Sequence, residues 1–168
     1  MSRGTKTTEY LKECMSDATI KLLKTTPIEK ITIPEIVKTA GVGRTTWFRN
    51  FTTKSEAITY KFIRMWERWT DEHDVYIKTE FIVANTETFF EYNYSIRHIL
   101  DVVYAAGMLS AMYDAFYAIM QPSDSNVPKE VYKQHFYAYD LCGLLDEWVK
   151  CRYKETPQEM AEMVKKII

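Results

Sequence analysis

Glycine and proline are scarce in this chain, five of each in 168 residues, and between them apolar residues recur at three- and four-residue intervals. That spacing lines up side chains on one face of a helix with 3.6 residues per turn, so the expected fold class is all-α. Leu11, Met15, Ala18 and Leu22 make the stripe of a first helix near 8–25, closed by Pro27. Thr32-Ile-Pro-Glu35 reads as a capping box: the threonine oxygen takes a free amide and Glu35 reaches back. Ile33, Ile36, Val37 and Ala40 then form the buried stripe of a short second helix, and Gly41 follows where a helix end favours positive φ. A third helix, from Gly43 to about Asn50, comes after only a three-residue turn. Thr53-Lys-Ser-Glu56 is a second capping box and opens a long fourth helix to about Trp69.

The remainder also reads as helical. Glu87–His98, Ile99–Tyr104 and Met108–Gln121 are apolar enough to pack, with Gly107 as a break, and Gln121–Asn126 has the composition of a loop. Pro128 starts a long helix to about Tyr153. Thr156-Pro-Gln-Glu159 is a third capping box, with proline at the first helical position. The last helix carries Met160, Met163, Val164, Ile167 and Ile168.

Charge is unevenly placed. Residues 1–54 hold ten Lys/Arg against five Asp/Glu, whereas the rest holds twelve against eighteen. A basic front end on an acidic body is the asymmetry expected if one end alone meets phosphate. Several classes of function are disfavoured. Cys14, Cys142 and Cys151 have no metal-ligand spacing, and their odd number fits a reducing compartment; His73, His98 and His135 form no HxxxH or HExxH pattern. Thr5–Lys12 is too polar for a signal peptide, and no stretch nears the ~20 apolar residues of a spanning helix. No Ser/His/Asp or Cys/His set, glycine-rich phosphate loop or carboxylate pair points to an enzyme. The expectation is a soluble, cytoplasmic, non-enzymatic protein that needs no metal or cofactor and does not engage a membrane.

Two short helices around Ala40-Gly41-Val42 make a helix-turn-helix by pattern. The glycine lets the chain reverse, and Ile36, Val37, Val42 and Trp47 can close the seam. After Gly43, the residues Arg44, Thr45, Thr46 and Arg49 offer hydroxyls and guanidinium forks suited to phosphates and base edges. Free amides at that helix start would add anion affinity. A helical hairpin with a solvated charged face gives the same pattern.

The stretch from Ile31 to Ile58 resembles the DNA-binding segment of TetR-type transcriptional regulators without a gap. The match includes the aromatic run Trp47-Phe48, then Phe51, and the Lys54-Ser-Glu56 opening of the next helix. With the first helix the similarity covers about residues 8–60. The end of the chain, Gly143-Leu-Leu-Asp-Glu-Trp-Val-Lys and Lys154-Glu-Thr-Pro-Gln-Glu-Met, resembles one group of the family's C-terminal domains. The resemblance implies a three-helix DNA-binding domain over residues 1–54 and a helical regulatory and dimerisation domain over 55–168. It also implies roles for single residues. Thr32 falls where a phosphate is often contacted. Arg44 and Thr45 fall on base-facing positions, Thr46 on one that touches backbone, and Trp47 on a mostly buried one. Gly43 stands where serine is frequent and Phe48 where tyrosine is usual, so two phosphate-binding hydroxyls are missing. Phe48 can still pack against a thymine methyl. Arg49 adds charge, Asn50 replaces a common histidine, and Lys54 matches a phosphate-binding lysine.

Of the chain's 24 aromatic residues, 20 lie in 58–168. Tyr92, Tyr104, Tyr113 and Tyr117, with Met108 and Met112, either line a cavity for a small apolar or aromatic effector or pack as ordinary core. Asp101, Asp114 and Asp140 fall in the same apolar runs; one turned inward would suit a cationic ligand. The 128–153 helix is apolar over more than one face, through Val131, Phe136, Ala138, Leu141, Cys142, Leu145, Trp148 and Val149. The resemblance implies that the last two helices form a four-helix homodimer interface, and Leu141, Leu145, Trp148, Val149, Met160 and Val164 are the residues expected in it. The function expected is a sequence-specific regulator that binds a pseudo-palindromic operator in double-stranded DNA. It is a ligand-responsive repressor or, alternatively, a regulator or activator switched by a protein partner.

Overall fold

The first helix sets the plan of the molecule, because it is buried over a broad face: Met15, Ser16, Ala18, Thr19, Ile20 and Leu23 are all inside. The computed structural model describes residues 3–73, 75, 86–120 and 128–167. Among the described residues the elements are helices throughout, and the protein is all-α. They are α1 (Arg3–Leu23), α2 (Ile33–Ala40), α3 (Arg44–Asn50), α4 (Lys54–Glu72) and α5 (Thr86–Ser95). After these come α6 (Arg97–Ala105), α7 (Leu109–Ile119), α8 (Pro128–Lys150) and α9 (Pro157–Ile167). The expected loop at Gln121–Asn126 and the terminal Ile168 lie outside the described residues.

Caps place most of the boundaries where the sequence puts them. Thr32 Oγ1 accepts from the Glu35 amide at 3.4 Å while the Thr32 amide donates to Glu35 Oε2 at 2.8 Å. Thr156 and Glu159 repeat that exchange at the start of α9. At α4 the box is shifted by one residue: Thr53 Oγ1 caps the Glu56 amide, but Glu56 takes the amide of Thr52. Gly41 ends α2 at φ +68°, a conformation that L side chains rarely adopt. The break between α5 and α6 falls at Ile96 rather than beyond His98. Ile96 is buried and has φ −100°, ψ 10°, so the chain bends there to keep that side chain inside.

α1 packs against α2, α3, α4 and α6, and α4 runs on to pack against α7. Charges tie α1 to α4: Asp17 to Lys61 at 2.5 Å, and Glu13 to both Arg64 at 3.3 Å and Arg68 at 3.1 Å. Each partly exposed pair contributes ~0–1 kcal/mol, so they set the register of the two helices more than they stabilise it. Thr59 Oγ1 donates to Ala111 O at 3.1 Å and joins α4 to α7. The end of α4 continues as a stack of Trp66, Trp69 and His73. The expected division after residue 54 falls at the first residue of α4, a helix that packs on elements to both sides of it.

In the body α8 lies on α7 and α6, and α9 lies on α5. Phe90 meets Trp148 edge-on at 5.2 Å, and Trp148 Nε1 donates to Glu155 O at 3.0 Å. The residues expected in the dimer interface take part in this packing. Leu141, Leu145, Trp148, Val149, Met160 and Val164 are at most 5 % exposed within the single chain, so they are its own core. The opposite face of α8 is the open one. Tyr132, Phe136 and Tyr139 are 75, 63 and 65 % exposed at intervals of four and three residues. Gly143 continues the stripe with open space at its Cα. On α9, Met163 and Ile167 are exposed one turn apart.

Candidate nucleic-acid interface

The helix-turn-helix is anchored by one side chain. Trp47 is completely buried, 5.3 Å from the Phe51 ring, with Ile36 and Val37 of α2 in the same core. Burying a large apolar side chain of this kind contributes ~1.5–3 kcal/mol, enough to fix the rotation of a helix only seven residues long. Trp47 faces inward, whereas Arg44, Thr45, Phe48 and Arg49 are all exposed. The Arg44 guanidinium lies 5.6 Å from the centre of the Phe48 ring, one turn away, a cation–π contact that steadies the fork. Among the described residues no carboxylate comes within ion-pair distance of Arg44 or Arg49. Their charge is therefore left for an external partner.

The flanking residues are more engaged. Thr46 is half-buried, and its carbonyl accepts from Asn50 Nδ2 at 2.7 Å, so Asn50 closes the end of α3. Thr32 is exposed, but its hydroxyl donates to Glu35 Oε2 at 2.7 Å and its amide serves the same carboxylate. Those bonds from Thr32 hold Glu35 below the usual carboxylate range. Gly43 caps α3 without a side chain at φ −79°, and a Cβ built there would meet only Thr46 Oγ1 at 3.9 Å. Lys54 is half-buried, with its ammonium donating to the carbonyls of Ile28 and Ile31 (3.0 Å to the latter). Its place at the start of α4 was legible in the sequence; its bond to the α1–α2 loop was not.

The six residues expected to line a ligand cavity lie on α5, α6 and α7 and at the turn between the last two. Tyr92 is buried against Trp66 at 4.7 Å and Trp69 at 5.6 Å, and burial pushes its phenol above the ordinary range. Tyr113 and Tyr117 fill the seam between α7 and α8: Tyr113 stacks on Tyr139 at 4.2 Å and meets His135 Nδ1 at 2.7 Å, while Tyr117 packs on His135 at 4.4 Å. Met112 is core, and Tyr104 and Met108 pack against it. The void lined by Trp66, Phe89, Phe116, Ile119, Met120 and Leu141 is only about 10 Å³. That is space for one water at most. Asp114 and Asp140 are exposed, and Asp101 is half-buried with Tyr153 Oη donating to it at 3.1 Å. The aromatic stripe on α8 was missed as a surface, although the two-sided apolar pattern of that helix signalled it.

A family model described as the C-terminal region of TetR-type transcriptional regulators matches residues 85–168, half of the chain. The chain belongs to the TetR family of transcriptional regulators. The matched region is the helical body of the TetR fold, from α5 to α9, and the helix-turn-helix precedes it. Among curated proteins none matches the chain.

Proposed function

We propose that the protein is a sequence-specific DNA-binding regulator that acts as a homodimer, with α3 as its recognition helix. One observation carries this reading: a completely buried Trp47 orients α3 so that Arg44, Thr45, Phe48 and Arg49 are exposed together, with no acidic partner among the described residues. Arg44 reads base edges, where a guanidinium can be bidentate to guanine, and Thr45 adds a hydroxyl. Phe48 meets a thymine methyl. Thr32, Thr46, Arg49 and Asn50 lie along the phosphates, and Lys54 turns from the loop carbonyls to a phosphate when DNA arrives. Residues 1–54 form the reading domain and 55–168 the regulatory and dimerising one.

The dimer uses the outer face of α8, through Tyr132, Phe136, Tyr139 and Gly143, extended by Met163 and Ile167 of α9. A contiguous exposed aromatic stripe is uncommon on a monomer and suits an isologous contact with a second copy. Such a dimer sets two recognition helices about one DNA turn apart, ~34–36 Å. α4 links reading head and body, so a change in the body alters that spacing. An effector shifts the balance only if it favours one spacing over the other. The switch is either a small-molecule effector bound by the body or a protein partner docked on it.

Selection of bound sequences from a random duplex library tests the proposal. The expected product is a pseudo-palindrome whose half-sites are centred one helical turn apart. Recovery of unrelated sequences with no shared half-site would refute specific reading.

A further inference from the structure

The α1–α2 loop and α6 stand apart on one side of the molecule and leave a solvent-open cleft of about 520 Å³ between them. Clefts of ~300–1,000 Å³ are the usual size of small-molecule sites, and the junction between a head and a body is a common place for one. Its walls combine apolar and polar groups. Leu23, Pro27, Ile28, Val102, Ala105 and Ala106 supply the apolar surface. Asp101 lines the α6 wall, and Glu29 and Lys24 line the loop wall. Lys24 and Glu29 are exposed at the rim, whereas Asp101 is half-buried. The Asp101 carboxylate accepts from the Tyr153 hydroxyl at 3.1 Å, and the hydroxyl oxygen also lies 3.4 Å from Arg97 O. That bond fixes one oxygen of a carboxylate against an apolar wall, the arrangement that recognises an ammonium group carried on a compact apolar body.

We infer that this cleft binds a small organic cation, an amine or guanidine whose charge meets Asp101 and whose apolar part packs on Ile28, Val102 and Ala105. The site also touches the DNA-reading end. The same loop presents the Ile28 and Ile31 carbonyls that hold Lys54, so a ligand lodged against Ile28 bears on the position of that lysine. A role as an effector site rests on the proposed DNA binding; binding of the cation does not.

Isothermal titration of the full chain, without DNA, with benzylamine and with agmatine tests the inference, using benzoate as the anionic control. The expected result is saturable binding of at least one amine in the millimolar range or tighter, and none of benzoate. Asp101→Asn keeps an oxygen for the Tyr153 hydroxyl, so it folds, and it should weaken the amine about tenfold or more, as loss of a charge-assisted contact does. Ala105→Trp, at an exposed position of α6, should put an indole into the cleft beside Val102 and weaken binding about tenfold or more with the circular dichroism spectrum unchanged. Amine binding that survives both substitutions, equal binding of benzoate, or no saturable binding of either amine would overturn the inference. Because DNA is absent, that failure leaves the reading of DNA untouched, and a failed sequence selection leaves the amine site standing.

Discussion

Replacing Phe136 by aspartate separates the two faces of α8. Phe136 is 63 % exposed in the single chain. A phenylalanine offers ~200 Å² of surface, so an interface that covers it removes about 125 Å² per protomer from water. At ~25 cal/mol per Å² this amounts to ~3 kcal/mol per protomer and ~6 kcal/mol for a two-fold contact that uses the residue twice. Since 1.4 kcal/mol is a factor of ten, the dimer dissociation constant should rise about four decades in Phe136→Asp. The monomer should stay folded, because the side chain already faces solvent. Leu145→Glu is the counterpart on the inner face. Leu145 is fully buried, so an unpaired carboxylate there should unfold the chain rather than dissociate it. Sedimentation equilibrium over a concentration series, with thermal melts of each variant, measures both effects. A Phe136→Asp protein that remains as dimeric as the wild type would refute the assignment of the outer face. So would a Leu145→Glu protein that melts like the wild type but sediments as a monomer.

Four further outcomes follow from the reading head. Arg44→Ala should cost ~1–3 kcal/mol at the selected site and relax the preference at one base pair, read by competition among single-base variants. Lys54→Ala should weaken all sequences alike and flatten the salt dependence; because its ammonium also holds the Ile28 and Ile31 carbonyls, the melting temperature should fall as well. Gly43→Ser should raise stability by a few tenths of a kcal/mol in thermal melts and tighten DNA binding, since φ −79° suits any residue, the space is open, and a serine both caps α3 and donates to phosphate. For Glu35 the sign follows from its lowered pKa: its stabilisation is present above the ordinary glutamate range, ~4.3, and is lost as pH falls through the depressed folded value. Thermal melts should therefore show an acid-side loss that is smaller in Glu35→Gln, which keeps the cap without titrating there.

How much could be read beforehand depended on the range of the interaction. The capping boxes at Thr32 and Thr156 and the reversal at Gly41 depend on residues within about four positions of one another, and such relations are written in the chain itself. The helical spacing and the helix-turn-helix pattern follow from the same local geometry, whereas the DNA-facing roles of Arg44, Thr45 and Phe48 came from the resemblance. Helix α8 marks the boundary. Its sequence determined that two faces are apolar, but periodicity alone carries no mark for inside and outside. Phe90, from a helix nearly sixty residues earlier, packs on Trp148 and decides that the Leu141–Leu145–Trp148 face is core and the Tyr132–Phe136–Tyr139 face is open. Lys54 is similar: its place at the start of α4 is local, whereas the carbonyls that hold it come from residues 23 and 26 positions away. The narrow void beside Trp66 and Phe116, and the opening beside Asp101, belong wholly to the tertiary level. A void is what remains after all side chains have packed, and no short segment of sequence contains that sum.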